Sequence, residues 1–407
     1  MRIAPCAAAL ACFFASHAFA TDLPRVFLTS TSGTGNLSSW PDAHGMTGLD
    51  AADEICRTRA DAVALAESDQ YIALLSDTHD DAYCRLHGDH GKRASNCNQA
   101  EFPIGAGPWY RMDDLAAIDV AQNFTGDDST RGYVPRHILY DELGNALDPT
   151  DESTSFAFTA TRADGSLDGN GTCADWSSEN GDIALASPFY GFGFLGGTAW
   201  TCDQTLHLVC MEKGVHGPAL TRSKAPSARV VFVTSSTGSG DLSSWPDAGA
   251  ATSTSAGDAI CSAHAARAGL SMPETFKAWL STSAGDAIDR FANDGTWFRT
   301  DGVRFSGSIA GLVSGLRESP PQLDENGAIL RTVESTWTGT GADGRSTGNT
   351  CLDWTSADNS AFGAIGQSLA ANSLWTKTAF LNPGCASGLY HLYCFGDNDS
   401  LFLANFD

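Results

Sequence analysis

The chain of 407 residues repeats itself, and this constrains the fold more than any other feature. RVFLTSTSGTGNLSSWPDA, beginning at Arg25, returns as VVFVTSSTGSGDLSSWPDA, ending at Ala248. The register then holds without a gap. Asp53 answers to Asp258, Ile55 to Ile260, Cys56 to Cys261, and Ala73-Leu74-Leu75-Ser76 to Ala278-Trp279-Leu280-Ser281. Self-similarity of this kind predicts two copies of one unit. At roughly 170–190 residues each, the units exceed a solenoid period, so each should close its own core.

Each copy opens with a β-rich run (Val26-Phe27-Leu28-Thr29; Val231-Phe232-Val233-Thr234) and passes through a Gly/Ser turn into Trp-Pro-Asp. A helix around the first cysteine follows. In the second copy Ile260, Ala263 and Ala266 give it one apolar face and Gly269 closes it. A strand over Phe276–Ser281 is next, then a short helix with Ser283 as N-cap and Ala287, Ile288 and Phe291 as its buried stripe. The first copy departs over about residues 84–108, an insertion carrying Cys84 and Cys97. Its His87, Asp89, His90 and Lys92 resemble metal-site chemistry, but polar side chains in an exposed loop are ordinarily solvated, so no metal is expected. Residues 214–228 lack apolar periodicity, contain two prolines and read as a linker. The expected units are therefore 21–213 and 229–396, followed by an acidic tail at 397–407.

Both copies converge on one pattern, STWTGTGADGRSTGNTCLDWTS from Ser335 to Ser356 and its partner from Ser155 to Ser178. An aromatic precedes a Gly/Asp/Asn-rich loop, which ends in Cys-x-Asp-Trp. Glycine supplies positive φ, and Asp and Asn bond their own backbone, so this is turn chemistry. The cysteine and tryptophan can pin the loop to a core. Trp40, Trp109, Trp176, Trp245, Trp297 and Trp354 read as core residues.

Residues 1–20 combine Arg2, an apolar run from Ala7 to Phe14 and Ala18-Phe19-Ala20, which predicts a secretory signal peptide. A lipid anchor at Cys12 is disfavoured, because the apolar run continues past it. No later stretch is long and apolar enough to span a bilayer. The chain is expected to be secreted or at the cell surface. Of twelve cysteines, Cys6 and Cys12 leave with the signal. An even set without C-x-x-C pairs remains, which favours disulfides over zinc. Spacing alone leaves their pairing open. A net charge of −24 opposes nucleic acid, heparin-like polyanions and anionic membranes as partners.

GDAICSAHAARAGL with FKAWLS, the Ser335–Ser356 stretch and CASGLYHLYC together resemble the endostatin-like domain. That domain ends collagens XV and XVIII and recurs in bacterial exported proteins, leptospiral surface proteins among them. The likeness covers nearly all of the second copy. The first is similar, with Phe158-Thr159-Ala160 in place of Trp337-Thr338-Gly339. The resemblance implies an α+β fold of two tandem C-type-lectin-like domains, each with two helices, a small twisted antiparallel sheet and long disulfide-held loops. It also implies nested bridges: Cys261 with Cys394 and Cys351 with Cys385; Cys56 with Cys210 and Cys173 with Cys202. Cys84 is then left with Cys97.

The family's leptospiral members are associated with host matrix proteins and complement regulators. By this likeness the expected function is non-enzymatic recognition or adhesion, directed at an extracellular or cell-surface protein of basic character. The alternative is cation-dependent glycan binding through Asp164, Asp168 and Asn170. The second copy has Asp343, Thr347 and Asn349 there, one carboxylate fewer, so the loop reads as turn-forming. Neither Glu-Pro-Asn, Gln-Pro-Asp nor Trp-Asn-Asp, the calcium tripeptides of the wider fold, occurs. The histidines through which vertebrate endostatin takes zinc have no counterpart at either start. An exported enzyme ranks third. His207 and His391, three residues before each copy's last cysteine, are the repeated histidine, expected to point away from the Leu/Cys face. No repeated nucleophile accompanies them. No cofactor, metal ligand or catalytic residue is therefore expected.

Overall fold

The computed structural model describes residues 23–124, 135–147, 156–169, 171–180, 183–188, 198–221, 229–292, 294–314, 317–330, 335–378 and 381–397. The predicted signal peptide, residues 222–228 of the linker and 398–407 of the tail lie outside them. The architecture is mixed α+β. The first copy contributes β1 (Val26–Leu28), α1 (Gly48–Ala62), β2 (Tyr71–Ala73), α2 (Ala82–Leu86), β3 (Trp109–Tyr110), β4 (Ala116–Ile118), β5 (Phe156–Phe158), α3 (Cys173–Trp176), β6 (Ile183–Pro188), β7 (Thr198–Thr201) and β8 (His207–Glu212). The second contributes β9 (Val230–Val233), α4 (Ser253–Arg267), β10 (Phe276–Ala278), β11 (Trp297–Arg299), β12 (Arg304–Ser306), α5 (Ile309–Leu312), β13 (Ser335–Trp337), α6 (Cys351–Trp354), β14 (Ile365–Gln367) and β15 (His391–Gly396).

The last strand of each copy is the hub of its sheet. β8 pairs antiparallel with β1 and β2 and parallel with β5. β15 pairs antiparallel with β9 and β10 and parallel with β13. All of β15, and β8 as far as Met211, is buried. A strand covered on both faces reads as a nearly unbroken apolar run, which HLVCM and HLYCF are. Phe27 faces Cys210 in the first sheet, and Phe232 faces Cys394 in the second.

Each long helix is welded to its hub by a disulfide, Cys56–Cys210 and Cys261–Cys394. The remaining bridges are Cys84–Cys97, Cys173–Cys202 and Cys351–Cys385. On α1, Ala51, Ala52, Ile55, Cys56 and Ala60 form the buried face. On α4 the buried face is Ala256, Gly257, Ile260, Cys261, His264 and Ala265. This corrects the predicted stripe, because Ala263 is half-buried and Ala266 exposed. Small alanines mark a helix face weakly, and here the disulfide fixes which side turns inward. A second correction concerns Ser283. It caps no helix; its N–H and hydroxyl instead donate to Asp353. The turn at Ile288–Arg290 is a single 3-10 turn, with Ala287 and Phe291 buried and Ile288 half-buried. All six tryptophans read as core are buried. No helix among the described residues is long and apolar enough to cross a membrane.

Candidate functional site

The Cys-x-Asp-Trp pattern folds into one turn of left-handed helix. φ is +49° at Cys351, +52° at Leu352, +56° at Asp353 and +64° at Trp354; in the first copy Cys173, Ala174, Asp175 and Trp176 lie at +52°, +51°, +52° and +64°. Each L-residue in this region costs about 1–2 kcal/mol, so runs of four persist only where neighbours over-determine them. Here they do. The Thr350 hydroxyl accepts from the Asp353 N–H at 3.3 Å. The Asp353 carboxylate accepts from the N–H and hydroxyl of Ser283, both at 2.6 Å, and these bonds hold its pKa below the usual carboxylate range. The Trp354 indole donates to the Ser281 carbonyl at 2.7 Å. Thr172, Thr78 and Ser76 treat Asp175 and Trp176 in the same way.

One consequence of the left-handed turn is that Leu352 points outward, 70% exposed. Phe362, Leu381 and Leu389 are also exposed, at 50%, 59% and 67%. All four lie on segments tied together around Cys351–Cys385. The Cys351 N–H donates to the Phe362 carbonyl at 2.9 Å, and Phe362 bridges to Gly384. The Gly363 N–H donates to the Pro383 carbonyl, and the Cys385 N–H to the Ala361 carbonyl. Large apolar side chains left exposed on linked segments are candidates for an interaction surface. Asp353 and the exposed Asp358 add negative charge to the same segments. In the first copy only Ala174 stands where Leu352 stands.

A second constellation lies at the start of α4's copy. The Ser236 hydroxyl meets His264 Nε2 at 2.8 Å, and His264 Nδ1 meets Glu325 Oε1 at 2.8 Å. These are the distances of a nucleophile, a base and an orienting acid. The first copy shows what the frame does. Arg59 stands where His264 does and pairs with Asp42 at 2.5 Å and Glu142 at 3.8 Å. His264 faces the matching carboxylates, Asp247 at 3.5 Å and Glu325 at 2.8 Å. The shared element is a basic side chain between two acids, and Ser236 is matched by Thr31.

The repeated histidines are buried. His207 Nδ1 donates to the Thr29 carbonyl at 2.6 Å and His391 Nδ1 to the Thr234 carbonyl at 2.5 Å. Burial lowers the His207 pKa. Both therefore tie the first strand of each copy to its hub. Asp164 pairs with Arg93 at 2.9 Å and accepts from Ser166; Asp168 pairs with Arg162 at 3.3 Å. Asn170 lies outside the described residues. In the insertion, His87 bonds the Tyr83 carbonyl, His90 pairs with Asp80, Asp89 takes Gln99 and Lys92 pairs with Asp81. Sequence reasoning passed over Asp77 and His79, which join Asp175 in a group able to hold a metal ion. The Asp-x-His spacing in DTHD was the one available signal. Comparison with protein-family models and with curated proteins finds no match to this chain.

Proposed function

We propose that the chain is an exported, non-enzymatic recognition or adhesion protein built of two tandem endostatin-like, C-type-lectin-like domains. The observation that carries the reading is the exposed apolar rim of Leu352, Phe362, Leu381 and Leu389 around Cys351–Cys385. The structure holds Leu352 in a left-handed conformation and then leaves its side chain in water, which favours a role outside the fold. Against the acidic chain, the fitting partner is an extracellular or cell-surface protein with a basic face. The five disulfides suit an oxidising compartment.

The enzyme reading has one specific observation behind it, Ser236–His264–Glu325. It is disfavoured because the first copy keeps the carboxylates and replaces serine and histidine with Thr31 and Arg59. The glycan reading is weakened by Asp164 and Asp168 being engaged with arginines.

The test is an array of extracellular proteins and glycans probed with the mature chain and with a Leu352→Ser, Leu389→Ser variant, in calcium and in EDTA. The expected result is a protein signal that survives EDTA and is lost in the variant. A protein signal indifferent to the variant would overturn the rim assignment. A glycan signal lost in EDTA would favour the alternative.

A further inference from the structure

The loop after β2 in the first copy brings three donor side chains to one point. His79 Nδ1 lies 3.9 Å from Asp77 Oδ2 and 3.9 Å from Asp175 Oδ2. All three donor atoms fall within 4.8 Å of one another. Asp77 is nearly buried, and its Oδ1 is fixed by the N–H groups of His79 at 2.8 Å and Asp80 at 2.6 Å. That leaves Oδ2 on the side of the imidazole. Asp175, distant in sequence, is delivered by the left-handed turn and held by the N–H and hydroxyl of Thr78, at 3.0 and 2.5 Å. The His79 side chain is 81% exposed, and its Nδ1 rests on the Thr78 hydroxyl at 3.1 Å, a contact it would exchange for the ion.

The second copy supplies an internal control. It contains the same clamp, Ser283 on Asp353, so the fold needs neither Asp77 nor His79 to build it. At their positions it has Thr282 and Ala284. The Thr282 hydroxyl accepts from the Ala284 N–H at 3.3 Å, replacing the turn-closing part of Asp77. What the first copy adds to a shared frame is thus a carboxylate and an imidazole, aimed at a third ligand already in place.

We propose that Asp77, His79 and Asp175 bind one divalent transition-metal ion, zinc foremost. Zinc takes imidazole nitrogen and carboxylate oxygen at about 2.0–2.2 Å, so closure of the three donors requires a contraction of less than about 1 Å. Calcium and magnesium prefer all-oxygen sets, and an imidazole ligand selects against them. Three protein ligands leave a position open for water or for a donor from a partner.

Isothermal titration of the chelator-treated full chain with zinc chloride tests this, alongside His79→Ala and Asp77→Asn. Cobalt(II) visible absorption reports the ligand set. One equivalent is expected for the wild type, with affinity weakened about tenfold or more in each variant, since even outer partners of a metal ligand are worth that much. Melting of the metal-free His79→Ala chain should match the wild type, because the side chain is exposed. Undiminished zinc binding by His79→Ala, absence of zinc binding, or calcium binding in place of zinc would each overturn the proposal.

Discussion

His264 and Glu325 meet at 2.8 Å, both almost completely buried, in the position where the first copy sets Arg59 against Glu142. Burial alone would raise the Glu325 pKa. The bonds from His264 and Ser235 outweigh it and bring the carboxyl down to about 2. A group whose folded pKa is depressed contributes stability that is fully present above its unfolded value and lost as pH falls through the folded one. The second copy should therefore weaken between pH 4.5 and about 2, and Glu325→Gln should remove that acid dependence. Chemical denaturation across this range checks it.

The same pair distinguishes an ion bridge from a catalytic base. Stranding a buried charge costs about 3–5 kcal/mol, so His264→Ala should destabilise by that order. His264→Arg should recover most of the loss by recreating the first copy's bridge. Urea unfolding of the two variants is the measurement. Failure of arginine to rescue would return Ser236–His264–Glu325 to consideration as a catalytic group.

Leu352 offers a separation of stability from binding. Glycine at this position relieves a left-handed penalty of about 1–2 kcal/mol, offset in part by roughly 0.5–1 kcal/mol of chain entropy. Leu352→Gly should then leave the melting temperature unchanged or slightly raised while partner binding falls. A variant that melts early would show that the side chain serves the fold.

The Cys261–Cys394 bridge closes a separation of 133 residues. In the chain-entropy model such a loop contributes about 4–5 kcal/mol. Paired replacement by serine should unfold the second copy at moderate temperature, read by calorimetry as loss of one transition.

Gly366 on β14 has no room for a side chain. A Cβ there would stand 1.9 Å from the Trp375 carbonyl oxygen. Gly366→Ala should cost about 3 kcal/mol or more, at the upper end of overpacking. Near-neutral unfolding behaviour would count against the β14 placement.

Much of this molecule was legible in order and composition. The repeat, the even cysteine set, the apolar hub strands and the buried tryptophans all follow from local chemistry, because hydrophobic runs and turn residues act within a few positions of themselves. The inward face of α4 was misread, since alanines carry little signal and a remote cysteine chose the side. Ser283 looked like a cap because nothing nearby announced Asp353. The left-handed turns were invisible: Cys-Leu-Asp-Trp has no glycine, and the disulfide, the threonine, the remote serine on Asp353 and the indole bond together hold it there. The exposed rim and the Asp77–His79–Asp175 group are likewise products of tertiary structure. Their members are ordinary residues in sequence and acquire chemistry when segments far apart in the chain are brought within a few ångströms.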